Sequence, residues 1–92
     1  MTRQEQCRRN DELFALFMRQ VLENPALTRK ISKGAQVIFL PENDPELYEA
    51  NVELGKRARE KEGKRVAYIK ISLVPQTMTV YVPRLEFTKT PA

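Results

Sequence analysis

Apolar residues recur along this chain in two rhythms, and the changes of rhythm mark its elements. Leu13, Phe14, Phe17, Met18, Val21 and Leu22 fall at helical spacing and define one broad face, which Leu16 widens. Asn10 or Asp11 is placed to cap this first helix, with Glu12 near the positive end of its dipole. Residues 1–9 carry no hydrophobic period and read as a disordered tail. Two Phe, a Met and several aliphatics are more than one side of a small sheet requires. The intramolecular core is the simpler account of this face, with part of it left to meet a second chain.

Asn24-Pro25-Ala26-Leu27 stops that helix and starts a short second one running to Ile31 or Ser32, because Asn caps well and Pro suits the first helical position. Gly34 follows as a left-handed cap. Val37-Ile38-Phe39-Leu40 is apolar on both faces, the pattern of an interior strand, and Pro41 ends it. Asp44-Pro45 then opens an amphipathic helix with Leu47, Tyr48, Val52, Leu54 and Ala58 on one side and charged residues on the other; Gly63 closes it. From Val66 to Ile71 the rhythm becomes strict alternation, with Ala67, Ile69 and Ile71 on one face and Val66, Tyr68 and Lys70 on the other.

A strand, a helix and a strand in that order predict two parallel strands joined by a right-handed crossover. Beyond Pro75, Thr77 to Val82 alternates again and predicts a third strand returning antiparallel to the second. Pro83 interrupts it, and Leu85 and Phe87 resume the pattern toward a sheet edge or a neighbouring subunit. The expected fold is therefore an α/β two-layer sandwich over residues 10–92, a single domain in the order helix, short helix, strand, helix, strand, strand. With the first helix beside the crossover helix, the opposite sheet face stays bare. A homodimer is the expected remedy, with Val37, Phe39, Tyr68, Met78 or Val80 near its interface.

Composition sharpens this picture in a few places. Ninety-two residues suffice for one domain, and a chain of that size leaves much of its surface exposed unless something else stabilises it. One cysteine, Cys7, excludes an internal disulfide, so oligomerisation is the remaining staple. Cys7 sits in a polar context and reads as a tolerated thiol in a reducing compartment. No run approaches the roughly 20 apolar residues of a membrane span, and the first residues lead into no apolar signal core. The expected setting is cytoplasmic, away from membrane. Sixteen basic against twelve acidic residues give +4, which permits nucleic acid without requiring it.

The chemistry-bearing residues are few. The loop around Glu42 and Asp44, with Glu46 beyond, lies between the end of a strand and the start of a helix, where open α/β sheets place ligands. It has no Gly-rich turn to grip phosphate, and three neighbouring carboxylates fall short of a hard-metal site. Helix capping by Asp44 is the cheaper explanation. Asn51 puts an amide on the stripe of Leu47, Leu54 and Ala58; it either bonds nearby backbone or offers a polar contact in a pocket, and the first is favoured. Lys56, Arg57, Arg59, Lys61, Lys64 and Arg65 form the densest basic segment, which reads first as a solvated helix end and second as a phosphate-binding surface. There is no histidine, and neither Ser32 nor Ser72 has an evident activating partner. Tyr68 and Lys70 share a strand face, a spacing that alternation alone produces. No catalytic residue, metal or cofactor is expected.

The run Gly34-Ala35-Gln36-Val37-Ile38-Phe39-Leu40-Pro41-Glu42-Asn43-Asp44-Pro45-Glu46-Leu47, followed by Ala50-Asn51 and Leu54-Gly55, resembles the core of a family of short uncharacterised prokaryotic proteins, a domain of unknown function. Asp11-Glu12-Leu13 and Glu23-Asn24-Pro25 are similar to its upstream helix, so the likeness spans Asn10 to about Ile71. It implies an α/β fold and supplies no activity. The first functional expectation is a non-enzymatic binding or protein-interaction module that self-associates. A nucleic-acid-binding regulator using the basic helix end is second, and an enzyme or sensor with a small-molecule site at the Pro41 to Glu46 loop is third.

Overall fold

A computed structural model describes residues 1–90. Its elements are α1 (Arg3–Glu23), a single 3-10 helix (Pro25–Lys30), β1 (Gln36–Pro41), α2 (Pro45–Lys61) and β2 (Val66–Ile71). The punctuation works locally as polar chemistry dictates. Asp44 caps α2 by accepting the Leu47 N–H at 3.2 Å, and Pro45 occupies the first turn where no N–H is needed. Gly34 and Gly63 take φ of +79° and +62°, a left-handed conformation that lets the chain turn sharply into each strand.

The two strands pair in parallel, with Gln36 opposite Val66 and Pro41 opposite Ile71. In such a pair, opposed residues point to the same face. Phe39 and Ile69 share one face, where the Phe17 ring of α1 meets Phe39 at 5.7 Å between centroids and a 58° tilt. Ile38 and Tyr68 share the other, and there the Tyr68 ring lies against Gly55 of α2. The sheet thus carries a helix on each face, which corrects the expected two-layer arrangement. Phe39, expected near an interface, is covered by Phe17 and buried.

The core is small. Ile38, Phe39, Leu40, Leu47 and Ala58 are its buried apolar side chains, joined by Pro41, Gly55 and Asn51. No residue of α1 is buried. Much of its apolar face stays open to solvent, with Phe14 54% and Leu22 80% exposed.

Two further expectations are corrected. The helix starts at Arg3, well before Asn10, with Thr2 as its cap accepting from the Glu5 N–H at 3.0 Å. Residues 1–9 lack apolar rhythm because polar pairs hold this part of the helix: Arg8 bonds Glu5 and Glu12, and Arg9 bonds Glu5, at the one-turn spacings that favour a helix. The third strand over Thr77 to Val82 is absent as well. From Ser72 to Lys89 the chain forms no helix or strand and is exposed throughout, with Tyr81 93% and Phe87 100% open. No residue of this arm takes a positive φ, so the chain leaves β2 without the tight turn that a hairpin would use. The arm draws the molecule out to 80 × 32 × 17 Å, with a Cα radius of gyration of 21.6 Å.

Candidate functional site

Asn51 lies one turn beyond Leu47 and one turn before Gly55, on the buried stripe of α2, and is 1% exposed. Every hydrogen-bonding position of its amide is taken. Its Nδ2 donates to the Phe39 carbonyl and to Asn10 Oδ1, each at 2.8 Å, while its Oδ1 accepts from Asn10 Nδ2 at 3.1 Å and Gln6 Nε2 at 3.0 Å. The Asn10–Asn51 pair is reciprocal, amide to amide. An amide so committed has nothing left to offer a ligand, although it lines a hollow with Phe14, Val37 and Leu54.

The Phe39 carbonyl matters for a second reason. Gln36 N–H bonds the Arg65 carbonyl and Glu42 N–H bonds the Ile71 carbonyl, so the backbone groups of residues 36, 38 and 40 point to β2 and those of Phe39 point away. Asn51 therefore caps one outward carbonyl at the outer edge of β1. By the same alternation, residues 65, 67, 69 and 71 face β1, and the N–H and C=O groups of Val66, Tyr68 and Lys70 point outward.

The carboxylates of the loop after β1 are also engaged. Asp44 caps α2 and accepts from Arg9 Nη1 at 3.3 Å, Glu46 lies 3.5 Å from the same nitrogen, and Glu42 accepts from the Ser72 hydroxyl at 2.8 Å. Arg9 is the centre of this cluster, since its Nε also donates to Glu5 at 2.9 Å. Hydrogen bonds from Arg8 first and Arg9 second hold the Glu5 carboxyl down at about 2, and Glu5 in turn raises both arginines. Gln6, Arg9 and Asn10 were invisible as a group in the sequence. They become one when three residues of one helix turn dock on the start of α2.

At the far end of α2, Lys56 and Arg59 border a surface hollow together with Glu60 and Tyr68. Arg57, Lys64 and Arg65 are exposed but do not line it. Lys56 lies 3.7 Å from Glu53, and Lys64 3.2 Å from Glu62. Read along the chain, this basic segment contains no aromatic residue. In space Tyr68, 40% exposed, supplies one from the neighbouring strand. Gly55 permits this, because a Cβ there would fall 2.5 Å from the Tyr68 Oη.

Among the described residues, no group of three or more His, Cys, Asp and Glu is arranged to hold a metal ion, and no helix is long and apolar enough to cross a membrane. Cys7 is exposed on α1.

The chain belongs to a family of unknown function (DUF5647), whose model matches residues 5–81. The match takes in both helices, both strands and the first part of the arm. No curated protein and no solved structure matches the chain.

Proposed function

We propose that this protein is a small interaction module that works as a self-associated assembly, a homodimer first, in a cytoplasmic setting that suits its exposed thiol. One observation carries the reading: the apolar side chains left outside outnumber those inside. Five are buried, whereas Phe14, Leu16, Met18 and Leu22 of α1 and Leu73, Val74, Met78, Val80, Tyr81, Val82, Leu85 and Phe87 of the arm are exposed. Apolar side chains left open in this number point to an interaction surface, and a small core gains most from a second chain. Sedimentation equilibrium at micromolar concentration is expected to give twice the chain mass, with a melting temperature that rises with concentration. A monomer mass with concentration-independent unfolding ends the reading.

A second reading, contact with single-stranded nucleic acid, is favoured by the Lys56, Arg59 and Tyr68 cluster, which joins two cations to an aromatic face on which a base can stack. Fluorescence titration with a generic oligonucleotide at about 50 mM salt tests it, and the reading requires binding that weakens as salt rises.

A further inference from the structure

We propose that the open edge of β2 is completed by the arm of a second copy, with residues 77–82 of each protomer added as a third strand to the sheet of the other. This deepens the self-association reading and rests on it. The two edges of the sheet differ by one capped carbonyl. On the β1 side Asn51 takes the Phe39 carbonyl, so a strand added there would compete with a bond already made, whereas on the β2 side no side chain among the described residues takes the outward backbone groups of Val66, Tyr68 and Lys70. Two strands alone make a marginal sheet, and an open edge is a template for another chain.

The arm is built as the missing piece. Met78, Val80 and Val82 alternate with Thr77, Thr79 and Tyr81, the two-residue rhythm of a strand with one greasier side. Beside β2 on the α1 face runs a mainly apolar groove lined by Phe17, Leu27, Ile31, Ala67 and Ile69 together with Lys30, Tyr68 and Lys70, able to receive the Met78, Val80 and Val82 side. The opposite side would then place Tyr81 toward the α2 face, where Tyr68 lies. The family match continues past β2 to residue 81, so the start of the arm belongs to the domain and is no appendage.

The occupant is a second copy because the link between β2 and the arm does not turn back. Ser72-Leu73-Val74-Pro75-Gln76 contains no Gly, Asn or Asp, the residues that supply the positive φ of tight hairpins, and its φ values are all negative. Pro75 stiffens it further. Residues 72–87 extended reach about 50 Å, ample to cross to a partner. Two arms exchanged about a two-fold axis make a closed interface, in which each sheet gains what it lends.

The test uses the full chain with Thr79→Pro and Val80→Pro made separately. Consecutive residues of a strand alternate in which edge their N–H faces, so one of the two must remove a ladder hydrogen bond and obstruct pairing whatever the register. Both positions lie in an exposed arm outside any helix or strand, so neither variant disturbs the protomer fold. Sedimentation is expected to show the dimer dissociation constant raised at least tenfold in one of them. Amide exchange at Val66, Tyr68 and Lys70 is expected to be slow in the wild-type dimer and fast in that variant. A dimer unchanged in both variants overturns arm exchange and leaves self-association standing through another surface, such as α1. Edge protection that persists when the wild type is diluted to monomer also overturns it, because the arm would then be folding onto its own strand. A wild type that is monomeric at all concentrations removes both readings together.

Discussion

Asn51 Nδ2 and the Phe39 carbonyl, 2.8 Å apart, join the crossover helix to the outer edge of β1. The same amide is locked to Asn10 and Gln6, so a single side chain ties α1, β1 and α2 together. Asn51→Leu fills the space but leaves the Phe39 carbonyl and the Asn10 amide without their partner. The expected loss is about 3 kcal/mol, from roughly 1–3 kcal/mol per buried polar group left unpaired. Urea unfolding at fixed protein concentration measures it.

Asp44 is asked to do two things, to cap α2 and to pair with Arg9. Asp44→Ala removes both and is expected to cost about 1–2 kcal/mol, whereas Asp44→Asn keeps the cap and costs about 0.5 kcal/mol. Thermal unfolding of the two variants side by side separates the roles. Equal losses would mean that the ion pair dominates.

Glu5 should titrate far below its ordinary 4.5, at about 2, in a carboxyl-detected NMR titration. Because the folded value is the depressed one, the stabilisation it confers is complete above about pH 4.5 and is lost as pH falls toward 2. Arg8→Ala is expected to move the midpoint up more than Arg9→Ala, following the order of the two hydrogen bonds. The effect on stability itself should be slight, since the pair is bathed in solvent.

Gly55→Ala sets two effects against each other. A methyl group improves helix propensity by about 1 kcal/mol, but it must push the Tyr68 ring from its seat. That ring is partly exposed and free to swing outward, so net stability is expected to stay within about 1 kcal/mol of the wild type while the Tyr68 ring resonances shift. If the cluster with Lys56 and Arg59 binds bases, oligonucleotide affinity should fall in this variant although no cation has been touched.

Much of the framework could be read from the sequence, because its signals are local. The Asp44-Pro45 start, the Gly63 stop and the strands at 36 and 66 each follow from a few adjacent residues whose backbone chemistry admits one solution. What was not legible is what polar residues do at a distance. Residues 3–9 have no apolar rhythm, yet Arg8, Arg9 and Gln6 hold them helical through Glu5 and Asn51. Gly55 gave no sign of its role, since only the fold brings Tyr68 over it. Alternation at Thr77 to Val82 predicts a strand, but it states only that a segment suits a sheet edge; it does not say whose.

The exposed arm also changes how this protein behaves on a sizing column. A rounded chain of this length would have a radius of gyration near 12 Å, and this one has 21.6 Å. A lone protomer would therefore elute early and pass for a larger species, while a pair with its arms tucked into each other's sheets would be more compact for its mass. Elution volume will therefore overstate the mass of the lone protomer, so light scattering or sedimentation must set the stoichiometry.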